Sequence, residues 1–103
     1  MISALKFIVD GTAAVMMQPA RFKILQYLRQ AKEPQFVDQI ARAVGIHPRM
    51  VSHHLDVLEG QDLVRSEYEL VLARGSSRRV AVRMCWTTPK AEKVVRDIQD
   101  SVI

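Results

Sequence analysis

The sequence predicts an α+β fold that is mainly α. Three observations carry this expectation. Apolar residues recur at helical spacing in two adjacent short segments, with Gly45 to His47 between them. After Gly60 the period drops from about 3.6 to about 2, which marks strands. From Thr88 the helical period returns. The order is therefore helices, a hairpin and a closing helix.

A chain of 103 residues fits a single domain, 1–103, and can bury a modest core without staples. The hydrophobic fraction of 49% is high for a small soluble domain, so some apolar surface is expected to be covered by another chain. The formal net charge of +4 suits a polyanionic partner, and it also suits a merely soluble basic protein. Cys85 is the only cysteine, so no disulfide can form within the chain, which fits a reducing cytoplasm. No apolar run approaches the roughly 18 residues that span a bilayer, and the first residues lack a signal-peptide pattern. A cytoplasmic location and no membrane partner are expected. Asn is absent, a thermophile trait that the abundance of Gln weakens.

Residues 1–17 carry Ile2, Leu5, Phe7, Ile8, Val9, Val15 and Met16 over more than one face. Gly11 interrupts them, at a cost of about 1 kcal/mol against Ala in a continuous helix. The pattern by itself leaves a helix and a strand near Lys6 to Asp10 both open. A helix follows from about Pro19 to Ala31, with Arg21, Ile24, Leu25 and Leu28 as its inward stripe. Arg21 shares that stripe, which favours a structural ion pair over a phosphate contact. Pro34 breaks the pattern.

Val37, Ile40, Ala41 and Val44 then mark a short amphipathic helix. Gly45 suits the tight turn after it, and Pro48 suits the first turn of the next helix. In that helix Val51, Leu55 and Leu58 share one face, while Arg49, Ser52, His53 and Asp56 share the other. A short helix, a turn and a second helix make a helix-turn-helix. Its second helix can enter a DNA major groove, or the pair can serve only for packing or protein contact.

Two alternating runs follow. Tyr68, Leu70 and Leu72 alternate with Glu67, Glu69 and Val71; Val80, Val82, Met84 and Trp86 alternate with Arg79, Ala81, Arg83 and Cys85. Between them lies Arg74-Gly75-Ser76-Ser77-Arg78-Arg79, a turn rich in arginine. It reads as a DNA contact or as a solvated basic loop. Thr87 or Thr88 can cap the last helix, with Pro89 at its first position. Ala91, Val94, Val95, Ile98 and Val102 form its stripe. With the core treated as filled by three helices and a hairpin, this stripe is expected to pair with the N-terminal helix and with a second subunit.

Residues 19–87, about two thirds of the chain, resemble the winged helix-turn-helix of the ArsR family of transcriptional repressors. The family's Pro-x-Arg-x-x-Ile-Leu-x-x-Leu pattern is matched by Pro19, Arg21, Ile24, Leu25 and Leu28. Its Val-Ser-x-His-Leu-x-x-Leu pattern is matched by Val51, Ser52, His54, Leu55 and Leu58, and Leu63 and Val64 then open the wing. Asp62 stands where the family usually has Gly, and Asp tolerates a left-handed backbone better than most residues. The resemblance implies a winged helix-turn-helix with extra N- and C-terminal dimerisation helices, 1–17 and 89–103. It also implies that the arginine-bearing turn is the tip of a wing, which follows the DNA backbone or reaches into the minor groove.

Some relatives sense metals through a Cys-x-Cys pair or through His and carboxylates on the last helix. This chain has one cysteine, and its last helix has Asp97 and Asp100 but no His. His53 and His54 point to different faces, so no metal site is expected. His54 is expected to be a satisfied structural histidine and Cys85 a packing residue on a wing strand. No phosphate loop, nucleophile motif or apolar carboxylate pair appears, so neither an enzyme nor a cofactor is expected.

The reading is a sequence-specific DNA-binding regulator, a repressor that binds a pseudo-palindromic duplex as a homodimer. Arg49, Ser52 and His53 are the candidate base readers. His47, Arg74, Ser76, Ser77, Arg78 and Arg79 are the candidate contacts to the backbone or minor groove. Leu5, Ile8, Val15, Val94, Val95, Ile98 and Val102 are the candidate dimer interface. Two rivals stand beside it: a winged helix used as a protein-interaction module, and a non-specific architectural DNA-binding protein. No feature names a small-molecule effector.

Overall fold

The computed structural model describes Met16 and residues 18–101. Apart from Met16, the helix expected over 1–17 lies outside the described residues, as do Leu5, Ile8, Val15 and Val102.

Pro19 opens helix α1 (Pro19–Gln30) at a position where a missing N–H is no loss. Ile24, Leu25 and Leu28 are its buried stripe. Ala31 is extended and stops the helix, while its N–H still reaches the Tyr27 carbonyl at 3.0 Å. The Tyr27 hydroxyl donates to Gln35 Oε1 at 2.6 Å. That bond holds a two-residue strand, β1 (Gln35–Phe36), beside α1.

Helix α2 (Val37–Val44) buries Ile40 and Ala41. Gln39 Oε1 accepts the Phe36 N–H at 2.8 Å and closes its first turn. Gly45 ends it in the left-handed region at φ 71°, where a glycine carries no Cβ penalty. Helix α3 (Pro48–Gly60) begins three residues later, with Val51, Leu55 and Leu58 fully buried. Asp62 adopts φ 58°, as its place after the helix required. The Leu63 N–H then returns to the Leu58 carbonyl at 3.0 Å, and the chain turns into the hairpin.

Strands β2 (Val64–Leu72) and β3 (Arg79–Thr87) pair antiparallel over their full length, from Val64 opposite Thr87 to Leu72 opposite Arg79. β1 adds to the far edge of β3, with Gln35 opposite Cys85 and Phe36 opposite Met84. The sheet order is β1-β3-β2. At the base of the hairpin Val64 and Cys85 are fully buried. Toward the tip the same face carries Tyr68, Leu70 and Leu72, which are 70%, 64% and 65% exposed. The alternation correctly marks a strand, but the hairpin extends beyond the body and this row lies in the open.

Thr88 caps helix α4 (Pro89–Ser101). Its hydroxyl accepts the Ala91 N–H at 3.2 Å and donates to the Asp62 carbonyl at 2.6 Å. Arg29 of α1 meets Glu92 of α4 through Nε at 2.9 and 3.0 Å. The premise that the core is full without this helix is corrected. Ala91, Val94 and Val95 are buried in the same cluster as Ile24, Leu25 and Leu55, and Ile98 packs at its margin. Three helices and a hairpin leave a gap over α1, and α4 fills it. Each large side chain so buried contributes about 1.5–3 kcal/mol. Val94 and Val95 are therefore core residues of one chain, whatever covers α4 from outside.

Candidate nucleic-acid interface

The inward stripe of α3 leaves one face of the helix outward, on which spacing places Arg49, Ser52, His53 and Asp56. Arg49 and His53 are exposed, and Ser52 is half-buried. His47 precedes the helix and is exposed, but its ring is partly committed: Nδ1 accepts the Arg49 N–H at 3.1 Å. This bond satisfies one of the free amides of the first turn and fixes the start of α3. The His53 ring lies 5.6 Å from that of His54, tilted by 55°. His54 points inward and is nearly buried, and Arg21 Nε donates to its Nδ1 at 3.2 Å. Burial holds the His54 imidazole below its ordinary value, and the charges of Arg21 and His53 add to this. His54 thus has the structural place expected of it. In this bond the stripe arginine donates to a neutral ring.

The hairpin supplies the second surface. Arg74, Ser76, Ser77, Arg78 and Arg79 are all exposed at its tip. Gly75 turns at φ 72°. The Ala73 N–H donates to the Arg78 carbonyl at 2.7 Å, and the Ser76 N–H donates to the Ala73 carbonyl at 3.0 Å. The Ser76 hydroxyl accepts the Arg78 N–H at 3.0 Å. Ser76 therefore shapes the turn that presents the arginines. Between the hairpin and the start of α2 and α3 lies an open cleft of about 410 Å³, with Ser52, Asp56, Tyr68 and Arg83 among its walls. The cleft brings Ser52 to the wing side, while nothing in the described residues joins Arg49 to the tip.

Asp56 is exposed on the outward face as expected, and there Arg83 of β3 pairs with it. Arg83 Nη1 donates to Asp56 Oδ1 at 2.7 Å, Nη2 to Glu59 Oε2 at 3.0 Å and Nε to Ser66 Oγ at 2.9 Å. Its side chain is only 9% exposed. Burial works against the Arg83 charge, but the Asp56 hydrogen bond and the nearby negative groups outweigh it and raise its pKa. Reading the sequence by alternation missed this residue, since it places Arg83 in the row opposite the bulky apolar side chains. One signal was present. Asp56 and Glu59 sit at i, i+3 on α3 with no Lys or Arg within a turn of either, so neither has a cationic partner on its own helix and one cation from elsewhere can serve both.

Cys85 lies inside the base of the hairpin with its Sγ 3.5 Å from Ser66 Oγ. Burial pushes its thiol pKa up, against a smaller opposing effect of Ser66 and Arg83. A buried thiol of raised pKa is a packing group. Among the described residues no group of three or more His, Cys, Asp or Glu could hold a metal ion. No helix among them is long and apolar enough to cross a membrane.

Comparison with solved structures finds the same fold in transcriptional regulators. A transcriptional regulator homologue protein from Pyrococcus horikoshii OT3 is 17% identical, with 99% of this chain and 95% of that one covered and a TM-score of 0.67. A MarR-family transcriptional regulator from Silicibacter pomeroyi is 19% identical, with 94% and 62% covered and a TM-score of 0.61. A mutant of S. aureus MepR bound to an oligodeoxyribonucleotide is 19% identical, with 95% and 75% covered and a TM-score of 0.52. The chain thus spans less than two thirds of the Silicibacter protein. At these identities the likeness concerns the fold, a winged helix-turn-helix. No curated protein matches the chain. Residues 16–67, half of the chain, match the family model described as a helix-turn-helix domain, and the chain belongs to that family.

Proposed function

We propose that this chain is a DNA-binding transcriptional regulator. One observation carries the reading: Arg49 and His53 are exposed on the outward face of α3, and the hairpin that follows is tipped by exposed Arg74, Arg78 and Arg79. Side chains that can pair with base edges and a cationic tip that can pair with phosphates are the two parts such binding needs. The solved relative bound to an oligodeoxyribonucleotide supports it.

The finer reading is a cytoplasmic, sequence-specific repressor of the ArsR type. It forms a single domain, 1–103, with 19–87 as the winged helix core. Arg49, Ser52 and His53 read bases. His47, Arg74, Ser77, Arg78 and Arg79 meet the backbone or minor groove, and Ser76 supports them. A homodimer places two α3 helices about one DNA turn, or roughly 34 Å, apart on a pseudo-palindrome. With Val94 and Val95 committed to the core, the interface falls to Ile98, to Leu5, Ile8, Val15 and Val102, and to whatever else residues 1–17 present.

The deciding experiment is selection of duplexes from a random pool with purified protein. Enrichment of a palindrome supports the specific regulator. Binding without enrichment indicates an architectural protein, since phosphate contacts carry no base information. Absence of duplex binding favours a protein-interaction module. The exposed row of Tyr68, Leu70 and Leu72 is the observation that keeps this second reading in play.

A further inference from the structure

Beyond the base of the hairpin the wing has little to hold it. β1 pairs with β3 no further out than Met84. Past that point Tyr68, Leu70 and Leu72 are exposed and make no core. Arg83 is the next residue outward from Met84, opposite Tyr68 in the ladder. It is also the residue whose guanidinium grips α3. Its fork directs one N–H to its own hairpin, at Ser66, and two to the helix, at Asp56 and Glu59. The pair distances to the two carboxylates are 2.7 and 3.0 Å. A planar fork with fixed donors sets an angle as well as a distance, which an ammonium on a flexible stem does not.

We propose that Arg83 is a positioning residue that sets the angle of the wing against the recognition helix and so couples their two DNA contacts. The coupling rests on the DNA-binding reading above; the clamp itself does not. A wing pivoting freely at Met84 would give up conformational entropy each time it aligned on a duplex. The clamp fixes that alignment in the free protein. It also neutralises carboxylates on α3 that would otherwise face the phosphates unpaired.

Two arms test the proposal. In the first, without DNA, amide exchange is followed in the outer wing, residues 68–72 and 79–82, for wild type and Arg83→Met. Loss of the clamp should raise outer-wing exchange about tenfold, the scale of one charged hydrogen bond, with α1 amides unchanged. Unchanged outer-wing exchange overturns the proposal. Should Arg83→Met fail to fold, Asp56→Asn with Glu59→Gln weakens the same clamp from its more exposed side. In the second arm, binding to the selected duplex is measured against salt. Arg83→Met should weaken it and lower the salt slope to that of Arg78→Ala with Arg79→Ala. Combining all three changes should then cost little more. Arg83→Lys, which keeps the charge and loses the fork, should fall between. Fully additive losses overturn the coupling. Failure of wild type to bind any duplex removes the functional reading, and with it the coupling, while the exchange arm still decides whether Arg83 holds the wing.

Discussion

Arg21 Nε donates to His54 Nδ1 across 3.2 Å, joining the first turn of α1 to the middle of α3. The two residues belong to separate motifs 33 positions apart, and the fold brings them into one bond. An imidazole that accepts at Nδ1 is neutral and carries its proton on Nε2. Protonation removes the acceptor and sets a second cation beside Arg21.

The stability of the domain should therefore depend on His54. Its pKa is lowered in the folded state, first by burial and then by Arg21 and His53. The unfolded chain binds the proton more readily, so stability is intact above the ordinary value of 6.5 and declines as pH falls below it. It levels off once the folded-state pKa is passed. Thermal melts between pH 7.5 and 4.5 in about half-unit steps check this against His54→Gln. The melting difference between the two proteins should narrow toward acid pH. A difference independent of pH would falsify the assignment.

Arg49 should set sequence preference. Its guanidinium is exposed at the start of α3, where it can pair in bidentate fashion with guanine. Arg49→Ala should cost about 1–3 kcal/mol on the preferred duplex and relax its discrimination at one base position. Titration of that duplex and its single-base variants measures both. Unchanged affinity and preference would remove Arg49 from the readers.

The wing tip should supply affinity blind to sequence. Arg78→Ala with Arg79→Ala should weaken all duplexes alike. The slope of log affinity against log salt should fall by about 0.9 for each phosphate that no longer has an arginine partner. A slope equal to that of wild type would show that the tip does not reach the backbone.

Assembly is best tested away from the core. Val95 is fully buried within one chain, so Val95→Glu should unfold the domain, at a cost of several kcal/mol, and says nothing of association. Ile98 sits at the margin of the cluster. Ile98→Glu should keep the fold, by circular dichroism, and shift the mass in light scattering from two chains to one. A wild-type mass of one chain at micromolar concentration would end the dimer reading.

What the sequence determined by itself is what short-range physics decides. Helix α2 runs from Val37 to Val44, as its apolar period indicates. Gly45 and Asp62 take the left-handed turns that end α2 and α3, because a chain leaving a helix there needs that backbone. Proline at 19, 48 and 89 opens three helices, since its fixed φ suits a first turn. The arginine turn follows from Gly75 and its neighbours. Only the tertiary structure decided the rest. β1 is two residues long, too short for any period, and exists because the edge of β3 lies beside it. Alternation tells which residues of a strand share a face, but not how far the body extends beneath it. So Cys85 is covered while Tyr68, Leu70 and Leu72 on the same face are bare. The stripe of α4 does not tell whether it meets its own core or another chain; the gap beside α1 decided that. Arg83 finds Asp56 and Glu59 because two elements far apart in sequence cross there, and pairing across such a distance is a property of the folded chain alone.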